Sequence, residues 1–441
     1  MDYPHVPNFN QLSEQLALYS QLQHEYGAQG IEPILAQAAE ALQRAVAALK
    51  ALPPDAALAC QEPDDLPSLR SLRPAGPRRL WQQLDPALFP SKLEGALLGR
   101  MAGNVLGAPV EFWPIERMQA LAKETGSPYP PQDYWTYVPD PYDLRYQLSP
   151  REDYTRNKLN GVPVDDDLAY TLLGLLIVED FGPNFTLDDV GRAWLKYLPY
   201  AATAEDVALR NLKAGVPAAE AGITENPFRE WIGADIRSDP WAYLAPGWPE
   251  QAAAMAYRDA YISHRRQGIY GEMFFSAAIS AAFSVKHPLE ALEIGLTEIP
   301  RDCALAKAVR WAIDIAPQIR TYRQARDTME EHFKGMSGVH TINNACLTIW
   351  GLTIGGTDFS RVISETVAMG LDNDCTAATA GSIVGAIVGK AGIPERWYRN
   401  FNDTVHSYLI GQPRFAITDL LRRFNAAAGR VFAEAKVGYS G

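Results

Sequence analysis

GLDNDCTAATAGSIVGA (residues 370–386) sets two carboxylates, Asp372 and Asp374, in front of a run of small and apolar residues. Gly381 and Gly385 within it, and Gly389 just beyond, recur at every fourth position, so they share one face of a helix and make it thin enough to lie near a domain centre. A second stretch, PVDDDLAYTLLGLL (163–176), repeats the arrangement, with Asp165, Asp166 and Asp167 ahead of an apolar helix. A third, EGALLGRMAGNVLGAPVEF (94–112), carries Gly95, Gly99 and Gly103 on one helix face and ends in Glu111 after the breakers Gly107 and Pro109.

Acids at a helix start have two readings. They cap free N–H groups and oppose the dipole, which is all that one Asp, such as Asp165, requires. Consecutive Asp residues exceed that need and repel one another, and a cation relieves the repulsion. If the two helix starts meet, their carboxylates converge as hard oxygen donors suited to Mg²⁺.

Elsewhere the chain is long and acidic, with 441 residues, 40 basic against 52 acidic side chains, and a formal charge of −12. That balance argues against binding the nucleic-acid backbone. The apolar run ATAGSIVGAIVG falls short of the roughly 18 residues of a membrane span. The start, MDYPHVPNFNQ, lacks the pattern of a signal peptide. Cys60, Cys303, Cys346 and Cys375 have neither zinc nor disulfide-framework spacing, so a reducing, cytoplasmic setting is expected. Oligomeric state is left open.

Residues 1–90 read as a helical extension followed by a Pro- and Arg-rich linker or wrap, and residues 91–441 as one mostly helical domain. Helices are expected over 168–180, 188–198, 204–214, 250–264, 271–286, 288–297, 303–324, 339–354, 359–369 and 376–391. Residues 113–163 and 223–249 read as long aromatic segments.

Taken together and in this order, the three motifs resemble the ADP-ribosylglycohydrolase family, whose dinitrogenase reductase-activating members share them. EGALLGRMAGNVLGAPVEF is similar to the family's opening glycine motif, DDDLAYTL to its T-D-D-T-x-M-T-L metal motif, and GLDNDCTAATAGSIVGA to its G-G-D-T-D-T-x-A-A-x-A-G segment. The resemblance covers about residues 91–400. It implies an orthogonal, all-α fold with a central dinuclear Mg²⁺ (or Mn²⁺) site, and hydrolysis at the ribose anomeric carbon of ADP-ribosylated protein or a related compound.

Position by position, the resemblance makes Asp165, Asp166, Asp167, Asp372 and Asp374 the metal ligands, with Glu111 and Asp166 as catalytic acids or bases. Asp165 and Cys375 fall where the family has liganding Thr residues, and a thiol suits Mg²⁺ poorly. Asn104 stands in place of a family Asp, and Phe274 in place of an Arg. These departures leave open a small riboside or other N-glycoside as substrate, or an ADP-ribose-binding protein without catalysis. Gly271, Glu272, His340 and Asn104 are the candidate substrate-binding residues. The pair Arg265 and Arg266 reads either as a phosphate contact or as a solvated helix end, and the aromatics, Trp231 among them, as stacking platforms or caps of the core.

Overall fold

The structure is a computed structural model and describes residues 3–434. It contains two compact units, Met1–Cys60 and Gln61–Gly441. In the first, the helices Phe9–Glu25 and Ile31–Lys50 are joined through Gly27 and Gly30, both at positive φ (76° and 82°), where a side chain would be strained. Neither helix buries a residue completely. Alanine-rich composition accounts for the second helix better than packing does.

Residues 61–90, which the sequence reads as a linker or wrap, belong to the larger unit. Asp65 caps a short helix, Leu66–Leu72, by accepting from the Ser68 N–H at 2.9 Å. Leu69 is fully buried. Arg73 (2.5 Å) and Arg78 (2.8 Å) both pair with the buried Glu298, while Glu62 pairs with Arg266.

The body of the larger unit is all-α, with two small antiparallel pairs, Leu144–Arg145 with Ser149–Pro150 and Val405–His406 with Arg414–Phe415. Most helices expected from periodicity are present. Four segments differ. The helix expected over 303–324 is split into Ala304–Ile315 and Tyr322–His332, because Pro317 turns the chain through Ala316–Gln318 and Thr321 recaps it. Residues 113–163 hold the helix Ile115–Glu124 and the first hairpin, and residues 223–249 hold Ile232–Arg237 and Ser238–Leu244. Their apolar residues pack on neighbours distant in sequence and follow no clean period. The helix Ile417–Glu434 lies beyond the expected set.

Two helices form the centre, Phe89–Gly107 and Asn373–Val388, and they touch backbone to backbone. A Cβ on Gly99 would lie 2.2 Å from the Gly381 carbonyl oxygen, and one on Gly385 would lie 2.1 Å from that of Gly95. At the far end, a Cβ on Gly107 would meet the Cα of Asp374 at 2.5 Å. The glycine faces of the first and third motifs therefore pack on each other, and their register brings the end of one helix to the start of the other. The helix Thr341–Gly355 flanks this pair and is capped by His340, whose Nδ1 accepts from the Ile342 N–H at 3.2 Å.

Gly381→Ala should destabilise the protein by about 2 kcal/mol or more through overpacking, although alanine is the better helix former by about 1 kcal/mol. Gly429→Ala, in the helix Ile417–Glu434 with no atom within 4 Å of the added Cβ, should be neutral or stabilising. Denaturant unfolding of the two variants checks the contrast. A second expectation concerns His340. Burial, then the charge of Arg266, push its pKa down from 6.5 to about 4. Glu230 lies 3.8 Å away but is itself held by Arg266 at 2.9 Å, so it does not favour the imidazolium. The folded state holds His340 neutral while the unfolded chain protonates it, so its stabilising contribution is full above pH 6.5 and declines as pH falls towards 4. Unfolding free energy measured across that window should fall less steeply in His340→Asn, by up to about 1.4 kcal/mol per pH unit.

Candidate metal centre

The carboxylates meet because the backbone leaves their helices no alternative. Gly370 (φ 71°) and Leu371 (φ 59°) turn the chain into the helix Asn373–Val388. The Leu371 carbonyl accepts from the Phe112 N–H at 2.9 Å, which brings Glu111 beside Asp372. Glu111, Asp372 and Asp374 each offer an oxygen within 4.8 Å of the others, as do Asp165, Asp166 and Asp167 among themselves.

The two readings of these acids separate here. Asp165 does cap its helix, accepting from the Asp167 N–H at 3.2 Å, although it also holds Asn104 and Arg145. Asp372 occupies a cap position yet makes no side-chain capping bond. Its Oδ1, and the Oδ1 of Asp374, are buried with no hydrogen-bond partner. A buried acceptor left unmatched is costly, and carboxylate oxygens in this state fit a hard cation. Asn373, between them, faces away and donates to the Val367 carbonyl at 3.0 Å.

Charge follows the same pattern. Burial, then Glu111, push Asp372 up to about 7. Burial, then Asp165 and Asp167, hold Asp166 well above the usual carboxylate range, and Asp374 is raised by burial and then by Glu111. These are carboxylates short of positive charge. Cys375 is pushed up by burial and by Asp167, which keeps it a neutral thiol beside the site.

Two arginines that sequence reasoning passed over are placed among the acids. Arg100, on the third motif's helix, is fully buried and holds Asp167 at 3.0 Å and Asp239 at 2.6 Å. Arg145, on the hairpin strand Leu144–Arg145, pairs with Glu111 at 2.6 Å, Asp165 at 2.9 Å and Asp374 at 3.0 Å. The next residue, Tyr146, donates to Asp166 at 2.6 Å. The only sequence signal for them was their position, Arg100 amid a glycine-spaced apolar run and Arg145 in an aromatic segment too long for a plain connection.

A cavity of about 370 Å³ opens over the acids, lined by Glu111, Asp166, Asp372 and Cys375 below and by Phe112, Tyr146, Tyr170, Trp231 and Ile232 around. Glu205 also lines it, and among the described residues no Lys or Arg does. Of the candidate substrate-binding residues, Asn104 is buried beneath the acids and donates to Asp165 at 2.8 Å. His340 adjoins the cavity-lining Val339 but is spent on its helix cap. Gly271 serves helix packing, since a Cβ there would meet Thr341 Cγ2 at 2.5 Å. Glu272 points into the core, accepting from Trp241 Nε1 at 2.7 Å and pairing with Arg237 at 3.4 Å. Arg265 donates to the Ala219 carbonyl at 2.7 Å, and Arg266 pairs with Glu230 and Glu62, so both are committed to the fold.

With this geometry established, comparison with known proteins gives one family. The sequence model of the ADP-ribosylglycohydrolases matches residues 85–433. An uncharacterized protein of Archaeoglobus fulgidus is 26% identical over 318 residues, covering 71% of this chain and 92% of its own length. A solved structure titled "ADP-ribosylglycohydrolase-related protein complex" aligns over 79% of this chain and all of its own, with a TM-score of 0.51 and 20% identity, a likeness of fold. Carrying the family's match over most of its length, the chain belongs to the ADP-ribosylglycohydrolases.

Proposed function

We propose that this chain is a metal-dependent glycohydrolase that cleaves the bond at a ribose anomeric carbon, in ADP-ribosylated protein or a related ADP-ribosyl compound. The observation that carries the reading is the pair of buried, unpartnered oxygens on Asp372, which lines the cavity, and on the neighbouring Asp374. Hard oxygen donors favour Mg²⁺ or Mn²⁺, held by Asp372, Asp374, Asp166 and their neighbours. When bound, such an ion orients ribose hydroxyls and supplies Lewis-acid polarisation.

The chain's own residues divide the remaining work. Glu111 stands at the cavity rim with Arg145 on one of its oxygens, and serves as the base that takes a proton from the attacking water. Asp166, held by the Tyr146 hydroxyl, borders the same space and positions the sugar. The departing bond passes through an oxocarbenium-like state, which the surrounding carboxylates stabilise electrostatically. Trp231 and Phe112 offer flat apolar faces to the group attached to the ribose. The cysteines, all free, accord with a reducing, cytoplasmic setting. Among the described residues no helix is long and apolar enough to cross a membrane.

One observation favours a second substrate class. The cavity lining has four carboxylates and no cationic side chain, a poor environment for a diphosphate. A neutral or cationic N-riboside meets no such repulsion. Turnover of ADP-ribosyl-arginine and ADP-ribosyl-serine against a panel of nucleosides separates the two.

Asp374→Asn keeps the shape but removes one charge and one hard donor. It should lower turnover at least about a hundredfold, leave circular dichroism unchanged, and shrink the fall in melting temperature that chelation causes in the wild type. Normal turnover by Asp374→Asn would reduce the acids to structural caps.

A further inference from the structure

Among the acids, the Arg145 guanidinium already occupies a position that a cation would take. Nη1 donates to Glu111 Oε2 at 2.6 Å and to the Ala108 carbonyl at 2.7 Å. Nη2 donates to Asp165 Oδ2 at 2.9 Å and to Asp374 Oδ2 at 3.0 Å. One planar cation thus bridges three carboxylates from three separate segments, as a metal ion would, and its side chain is only 10% exposed. The hairpin that carries it is anchored. Arg145 is paired with Ser149, and the carbonyl of the following Tyr146 accepts from the Tyr200 hydroxyl at 2.7 Å.

Other oxygens of the cluster are left over. Asp372 Oδ1 and Asp374 Oδ1 have no partner, and Glu111 keeps its second oxygen. A divalent ion binds carboxylate oxygen at about 2.0–2.6 Å. An ion on the leftover oxygens of Asp372 and Asp374 is compatible with Arg145. An ion bound through Asp165 Oδ2 and Asp374 Oδ2 would lie against Nη2, with like charge and no room between them. Burial of the guanidinium amid opposite charges sharpens that exclusion, since little water is present to screen it.

We infer that Arg145 is a built-in cation that replaces one of the two metal ions, so that the site takes a single divalent ion per chain, on Asp372 and Asp374. The inference rests on the metal-dependent reading of the site above and narrows it. It assigns Arg145 a positioning role: it holds Glu111 and Asp374 in the arrangement that a second ion would otherwise impose.

The test is metal stoichiometry. Full-length protein is stripped with chelator, saturated with Mn²⁺, separated from free ion, and its bound manganese counted by elemental analysis, with the magnetic signature of the bound ion recorded in parallel. The wild type should hold one Mn²⁺ per chain with the signal of an isolated ion. Arg145→Met, which keeps much of the side chain's bulk but removes its charge, should hold two, with the signal of a coupled pair. Arg145→Lys should remain at one. Two ions in the wild type, or one in Arg145→Met, overturns the replacement. If Arg145→Met does not fold, the wild-type count and its signal decide alone, and a coupled pair there is sufficient to overturn it. Failure of the underlying reading is distinguishable, because it gives no bound ion in any of the three proteins.

Discussion

Backbone contact between the helices Phe89–Gly107 and Asn373–Val388 is the constraint from which the site follows. Glycine at Gly95, Gly99 and Gly103 on one side, and at Gly381 and Gly385 on the other, lets carbonyl oxygens sit where Cβ atoms would otherwise be. Close approach sets the register of the two helices to within a residue, because displacement along either axis would bring a side chain into the contact. Gly107 then abuts Asp374, and Glu111 is delivered to the mouth of the opposing helix. The position of the acids is therefore a consequence of helix packing, with the Leu371–Phe112 hydrogen bond as the final tie.

What the packing assembles is an excess of negative charge in a place water hardly reaches. Proteins relieve such an excess by protonation, by ion pairing or by binding a cation. Ion pairing and a drive towards protonation both appear within a few ångströms. Arg100 neutralises Asp167 from below, Arg145 bridges Glu111, Asp165 and Asp374 from the side, and Asp372 is pushed up to about 7. Asp372, which pairs with neither arginine, lines the cavity beside Glu111 and Asp166. Asp165 takes on a particular sense in this light. It adds a charge where the resembled motif has a hydroxyl, and that charge is one of those that Arg145 meets.

The same geometry limits what the cavity can recognise. Arg265 and Arg266, attractive as phosphate contacts in the linear sequence, are tied to backbone carbonyls and to Glu230 and Glu62. Glu272 belongs to a buried network with Arg237 and Trp241. The cavity wall is aromatic instead, and Trp231 within it sits on a segment that pairs with His340 across a short antiparallel bridge.

Much was legible in the residues themselves. Four-residue glycine spacing declares a close helix contact, because nothing else explains that period in an apolar helix. Consecutive acids at a helix start declare more charge than a cap requires. Helical periodicity located most of the body's helices, though Pro317 broke one into two. What the residues could not declare was pairing at a distance. Whether Asp372 capped its helix or kept an uncommitted carboxylate depended on the direction of one side chain, and the turn through Gly370 and Leu371 set that direction. Arg145 carried no local signal, because its importance comes from the three acids around it, which are 34, 20 and 229 residues away along the chain. Spacing within a helix is a local property that sequence records directly, whereas the meeting of charges from separate segments exists only after the helices have packed.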